Sequence, residues 1–236
     1  MSPDLDGRGG VDSSPKSLIG MVLRRWAGAA LVLGFLLFLP AGTFDYWEAW
    51  VYMAILLLPA LVVILVGVRT DPALIERRMR LREKEPEQQR IVKYSSILFP
   101  LAFVIPGLDH RFGWSAVPTE VVIASDALVL LGYLLFVRVL KENSYASRIV
   151  EVEQSQRVIS TGPYGLVRHP MYVAVLLIYT ISPLALASFW GLAISLWFVP
   201  VMVARIRNEE SVLAKDLPGY IEYMRRTPYR LIPGVW

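Results

Sequence analysis

Hydrophobic positions along the 236-residue chain fall in long blocks rather than in an alternating or one-faced pattern. Six apolar runs stand between polar or chain-breaking sequence: Leu18 to Leu39, Trp47 to Val68, Tyr94 to Leu108, Val121 to Leu140, Tyr172 to Ala187 and Phe189 to Ala204. A bilayer core of about 30 Å needs about 20 apolar residues in a helix, a length the first, second and fourth runs meet. The third is shorter and interrupted by Pro100 and Pro106, so it is expected to continue as an irregular turn through Asp109-His110-Arg111-Phe112. The last two runs, joined at Ser188, are each short for a span. They predict a tilted hairpin whose second helix continues into Arg205 and beyond.

A lipid-embedded backbone must satisfy its own hydrogen bonds. The blocks therefore predict an all-α fold, a polytopic transmembrane helical bundle of about six spans with a C-terminal hairpin and a cytoplasmic C-terminal helix. Pro40-Ala41-Gly42-Thr43 breaks the first span. The next loop sets Asp45 and Glu48 among Tyr46, Trp47 and Trp50, an interfacial aromatic belt. Asp126 lies inside the fourth span and should face the bundle interior or the interface. Three regions result: a disordered cytoplasmic tail at 1–17, four membrane helices at 18–141, and a site-bearing region at 142–236.

Charge sets the orientation. The N-terminal flank, Arg69 to Lys93, Arg138 to Arg168 and Arg205 onward are rich in Lys and Arg, whereas the loops at Asp45, Asp109 to Thr119 and Pro183 to Ser188 are poor in them. With six spans the two sets alternate, placing both termini in the cytoplasm. The Arg69–Lys93 segment mixes eight basic residues with Glu76, Glu83, Glu85 and Glu87. Read as a solvated connector it needs no further role, although Leu74, Ile75, Met79 and Leu81 give it a partial apolar stripe suited to a surface helix.

Composition narrows the chemistry. At 55% hydrophobic residues the chain is an integral membrane protein rather than a soluble domain. It has no cysteine, which excludes disulfides, thiolate metal sites and a cysteine nucleophile. Two histidines, His110 and His169, cannot build a histidine-rich metal centre, so no metal site is assigned. The net charge of +4 is modest and placed for a membrane surface, not for nucleic acid.

Two polar clusters flank the last hairpin: Gly162-Pro163-Tyr164 through Arg168-His169-Pro170-Met171-Tyr172 at its entrance, and Arg205-Ile206-Arg207-Asn208-Glu209-Glu210 at its exit. A hairpin returns both ends to one membrane face, so the clusters should meet. Arg205 and Glu209 are four apart and share a helix face. Pro170 suits a first helical turn, where its missing N–H costs nothing. For Arg168 and Arg207 the plain reading is that they anchor helix ends and pair with neighbours. His169, Glu209 and Arg205 together are read as a site, because ionisable groups at a membrane helix end are costly unless used. Asn143, Ser144 and Tyr145 either shape an acceptor side or simply end the fourth helix.

Gly162-Pro163-Tyr164, Arg168-His169-Pro170, Tyr172 and Glu209-Glu210 resemble the C-terminal signature of the isoprenylcysteine carboxyl methyltransferases, of which the phospholipid methyltransferases share a related form. The resemblance covers roughly Asn143 to Trp236. It implies an S-adenosylmethionine-dependent membrane methyltransferase without a glycine-rich nucleotide loop. It also implies that Gln156, Arg157, Val158 and Ile159 line the adenosine and that Tyr164, His169, Pro170, Met171 and Tyr172 form the pocket wall. Glu209 would then receive the donor's amino end and Arg205 would hold the methyl acceptor. Two positions depart from the family pattern, which often has His in place of Gln156 and Gly in place of Ala174.

The acceptor implied is a lipophilic small molecule or lipid-linked group reached from the bilayer. A carboxylate acceptor needs a cation to orient it, which suits arginine. A protonated amine acceptor, as in phospholipid or amine N-methylation, needs His169, Glu209 or a tyrosine as base. An NADPH-dependent membrane reductase and a non-catalytic scaffold are the remaining readings. Oligomeric state is not legible.

Overall fold

The computed structural model describes residues 15–79, 83, 85–146, 149 and 156–236. Most of the tail expected at 1–17, together with Arg80, Leu81, Arg82 and Lys84 of the connector and the polar stretch at 150–155, lies outside these. All regular structure among the described residues is helical.

Four long helices come first: α1 (Pro15–Ala41), α2 (Trp47–Thr70), then after the short α3 (Pro72–Met79) α4 (Pro86–Phe112) and α5 (Thr119–Glu142). A single 3-10 turn, Gly162–Gly165, leads to α6 (Pro170–Ala185), α7 (Phe189–Ser195), α8 (Phe198–Asp216) and α9 (Tyr220–Arg226). Five segments are long and apolar enough to cross a membrane: Leu18–Ala41, Trp47–Thr70, Pro86–Phe112, Thr119–Glu142 and the joined α7–α8 segment Phe189–Asp216. The remaining apolar run, Tyr172 to Ala187, is the shorter α6. The protein is therefore an integral, multi-pass membrane protein. The second arm of the hairpin runs past Arg205 as its sequence predicts. Its break at Leu196–Trp197 has a local cause: Pro200 lacks the N–H that would bond the Leu196 carbonyl, and its ring crowds that turn.

The third run departs from expectation. It forms one helix through Pro100, Pro106 and Asp109–Phe112 rather than ending in an irregular turn. Neighbouring helices make prolines tolerable in a membrane span, and Pro106 is buried where α4 meets Gly191 of α7. The helix stops at Gly113, whose φ of 64° is the left-handed conformation that glycine adopts freely.

Two ends of the bundle differ in chemistry. At one end, Tyr46 donates to the Leu186 carbonyl at 2.7 Å, and His110 stacks on Tyr46 while its Nε2 lies 3.0 Å from the Asp45 carbonyl. Buried Asp109 accepts from the Ser115 amide and hydroxyl and from Ser188, tying α4 to the apex of the hairpin. His110 is thus an interfacial packing residue. The loops at this end, 42–46, 113–118 and 186–188, carry no Lys or Arg. The opposite end gathers α3, the start of α4, the close of α5, the loop before α6, the end of α8 and the C-terminal segment. Asp126 is buried, as its place in a span requires. Outward faces are apolar instead: Leu31, Phe35, Leu58, Val62, Leu131 and Leu134 are all exposed, as a lipid-facing surface should be.

Packing is closest where α1 crosses α4. A Cβ added at Gly107 would stand 2.6 Å from the Leu37 carbonyl oxygen and 3.0 Å from Pro40 Cβ, so only glycine fits that crossing. Gly28 of α1 has nothing within 4 Å of the same added atom. Gly107→Ala is expected to lower stability by about 1–3 kcal/mol, the range for overpacking, whereas Gly28→Ala leaves it unchanged or higher. Unfolding of both variants in mixed micelles measures the contrast.

Candidate active site

The site is assembled at the basic end by a loop that is fixed on three sides. Gly162 turns the chain at φ 56°, and a side chain there would strike the Glu142 carboxylate at 2.7 Å. That carboxylate is held by Arg138 at 2.6 Å and by the Thr161 hydroxyl, which pins the loop to the end of α5. Further on, the Arg168 and His169 amides donate to the carbonyls of Tyr229 and Arg230 at 2.9 and 3.0 Å. The loop thereby pairs with the C-terminal segment before Pro170 opens α6.

Beneath the loop lies Glu210, 4% exposed. Its Oε1 accepts from Arg168 Nε at 2.7 Å and lies 3.2 Å from His169 Nε2; its Oε2 accepts from Arg230 Nε at 2.7 Å. Arg168 also donates to the carbonyls of Thr227 and Pro228 at 2.8 and 2.7 Å. A carboxylate this deep is tolerable only because opposite charge and hydrogen bonds surround it. The pairing foreseen for Arg168 is present, whereas Arg207 is exposed.

A second cluster faces the cavity. Tyr172, on the first turn of α6, donates its hydroxyl to Glu209 and accepts from Arg205 Nε at 2.8 Å, so one phenol links the two residues of α8 that share a face. The entrance and exit of the hairpin therefore meet, with His169 directed to Glu210 and Tyr172 to Glu209. From the connector between α3 and α4, Glu83 Oε2 lies 3.9 Å from Arg205 Nη2. Buried Gln88 donates to the Arg205 carbonyl at 3.1 Å and to Asn208 at 2.7 Å.

Beside these side chains lies a cavity that opens to solvent. Gln156, Arg157, Val158 and Ile159 run along one wall outside any helix; Asn143 and Tyr145 lie on another; Tyr164, His169, Met171, Tyr172, Arg205 and Glu209 complete the predicted set. Pro170 does not line the cavity: it is buried in the first turn of α6, where it fixes the helix start. Asn143 lines the cavity at the end of α5: its Oδ1 accepts from the Tyr145 amide while its Nδ2 donates to the Tyr164 hydroxyl at 2.9 Å. Burial pushes the Tyr164 phenol up to about 12, so it remains a neutral donor and acceptor at neutral pH. Ala174 is wholly buried and does not reach the cavity. It packs at the crossing of α6 with α5, where Gly132 approaches its carbonyl, so its extra methyl takes no space from a ligand.

Other lining residues escaped the sequence reading. Tyr220 and Tyr223 of α9, with Leu213 and Leu217, form an apolar and aromatic wall. Their three- and four-residue spacing was a usable signal. Burial raises both phenols, which places no phenolate in the wall at neutral pH. Among the described residues, no group of three or more His, Cys, Asp or Glu side chains is placed to hold a metal ion.

Residues 121–218 match the phospholipid methyltransferase family model. Over that segment the chain is similar to this family of membrane methyltransferases. The segment contains Asn143, Gln156–Ile159, Tyr164–Tyr172, Arg205, Glu209 and Glu210, whereas Glu83, Gln88, Tyr220, Tyr223 and Arg230 lie outside it. Two relatives align over half of this chain: a nickel-cobalt-cadmium resistance protein of Alcaligenes xylosoxydans xylosoxydans at 30% identity over 138 residues, and a cobalt-zinc-cadmium resistance protein of Cupriavidus metallidurans at 29% over 134. The chain spans 63% and 62% of the lengths of these relatives. Among solved structures, the eukaryotic intramembrane Ras methyltransferase, isoprenylcysteine carboxyl methyltransferase, aligns with a TM-score of 0.47 and 15% identity, over 92% of this chain and 85% of that one.

Glu210→Gln removes the charge that pairs with buried Arg168 and half-buried Arg230 and is expected to destabilise the protein by about 3–5 kcal/mol, as breaking a buried ion pair does. Detergent unfolding of the variant beside Arg207→Gln, which is expected to behave as the unsubstituted protein, checks this.

Proposed function

We propose that the protein transfers a methyl group from S-adenosylmethionine to a lipophilic acceptor, with a carboxylate as the preferred acceptor group. The observation that carries this reading is the cavity itself, which places the carboxylate of Glu209 and the guanidinium of Arg205 on one phenol, Tyr172, at the end of a membrane bundle.

The residues present suit such a donor. Glu209 supplies an anion for an ammonium group, the aromatic and apolar wall of Tyr164, Leu213, Tyr220 and Tyr223 suits a flat base, and the segment 156–159 offers backbone groups outside any helix. The bound sulfonium supplies a methyl group already activated for direct displacement. What the chain must add is alignment and exclusion of water. His169, held by Glu210 and backed by the C-terminal segment, keeps the loop in place; Tyr172 sets Arg205 and Glu209 at a fixed separation. Arg205 then orients an acceptor carboxylate through its paired N–H groups.

A second reading, N-methylation of a phospholipid or other amine, draws support from the name of the matching family. In it Glu209 or His169 would take the amine proton. In either case the positive-inside rule puts the basic end, the cavity and both termini on the cytoplasmic side, with an acceptor drawn from the bilayer.

Calorimetric titration of the purified protein with S-adenosylmethionine, and separately with NADPH, tests the donor. Binding of the first is expected, weakened about 10- to 100-fold by Glu209→Ala, the range for a lost charged hydrogen bond, and several-fold by His169→Ala. Binding of NADPH alone would replace this reading with a reductase. For the acceptor, Arg205→Lys is expected to lower turnover by about tenfold or more, since an ammonium cannot reproduce the two-pronged contact; near-normal turnover would remove Arg205 from the orienting role.

A further inference from the structure

At the end of the bundle away from the cavity, an apolar groove opens to the lipid-facing side along the second half of α1 and the start of α2. Ala30, Gly34, Phe38 and Gly42 lie along it, with Phe44 and Trp50 at its outer end. Small residues hold it open: a Cβ added at Gly34 would meet only ordinary contacts, the nearest at 3.6 Å from Met53 Cε. Ring packing firms the outer end, because Phe38 lies 5.3 Å from Phe44 and 4.6 Å from Trp50, whose indole N–H donates to the Phe44 carbonyl at 3.0 Å. The stretch of α1 from Ala30 to Ala41 is about 17 Å long. That is close to the depth of one leaflet, half of a hydrocarbon core of about 30 Å.

The groove ends beside a cation. Exposed Arg111, in the last turn of α4, lays its guanidinium against Gly42: Cζ, Nε and Nη1 are each 3.6 Å from a Cβ added there. It is the only Lys or Arg at this end of the bundle. It lies 5.5 Å from the Phe112 ring and forms no hydrogen bond or ion pair among the described residues. Asp45, Glu48 and Glu120 stand at the same end without pairing to it, and the Asp109 carboxylate is taken up by Ser115 and Ser188.

We propose that this groove binds one anionic phospholipid of the leaflet opposite the candidate active site, with an acyl chain along α1 and the phosphate accepting from Arg111. An apolar lining by itself would take any chain. The guanidinium selects the head group, since its planar fork matches phosphate oxygens and the protein supplies it with no counter-charge. The site is independent of the methyltransferase reading.

Photoactivatable phosphatidylglycerol and phosphatidylcholine, each reactive at the end of an acyl chain, test the site in nanodiscs of neutral lipid, with labelled peptides mapped by mass spectrometry. Labelling within residues 30–53 by the anionic lipid is expected to exceed that by the zwitterionic one about tenfold, as for one charged hydrogen-bonded contact. Arg111→Gln should bring the two to one level. Arg111→Lys, which keeps the charge without the fork, should fall between. Gly34→Leu, which fills the groove, should lower labelling by both lipids, while labelling at the basic end stays unchanged in all three variants. Equal labelling by the two lipids in the unsubstituted protein would overturn the proposal, and that comparison needs no variant to fold. A preference that survives Arg111→Gln, or no labelling along 30–53, as a second copy of the chain seated on α1 would cause, would overturn it as well.

Discussion

The site depends on one buried carboxylate. Glu210 sits on the inner side of α8 and receives Arg168 and His169 from the loop before α6 and Arg230 from the C-terminal segment. Each of those pieces is short and polar and has no helix packing of its own to locate it. A single anion in a low-dielectric setting locates all three, because leaving any of the charges unpaired there would cost several kcal/mol. The consequence is a division of labour between adjacent residues. Glu210 fixes the frame, and Glu209, one residue earlier and turned by about 100° around the helix, is presented to the cavity by that frame. The same frame sets Tyr172, and through it Arg205.

Much of this was legible in the order of residues. Six apolar blocks gave the helices, and their ends are marked by local chemistry: Gly42 and Gly113 at left-handed φ close α1 and α4, and Pro170 opens α6. The Arg205–Glu209 spacing gave the face of α8 that matters, and the hairpin gave the meeting of its two ends. The miss in α4 has a plain cause. Prolines read as breakers in water, but within a bundle their effect is decided by neighbours such as Gly191, which sequence order does not display. The buried, three-way pairing of Glu210 was not foreseen for a similar reason, since what packs on the far side of a helix is not displayed in sequence order. Glu83 was the least visible. Four glutamates stand in that connector, and only its fold against α8 distinguishes the buried one.

The family match ends at residue 218 and begins at 121, yet the cavity does not respect those limits. Tyr220 and Tyr223 close one wall, Arg230 steadies the loop, and Glu83 and Gln88, from the first half of the chain, lie against Arg205. The matched segment supplies Tyr172, Arg205, Glu209 and Glu210, while Gln88 contacts the Arg205 turn and Arg230 contacts Glu210 from outside it.

The backbone pairing of Arg168 and His169 with Tyr229 and Arg230 has a consequence for the order of assembly. Tyr229 and Arg230 follow α1 to α8 in the chain, so this pairing can form only once synthesis has passed the whole bundle and reached Arg230. The last ten residues act on this bundle as a fastener, closing a pocket whose walls are already standing.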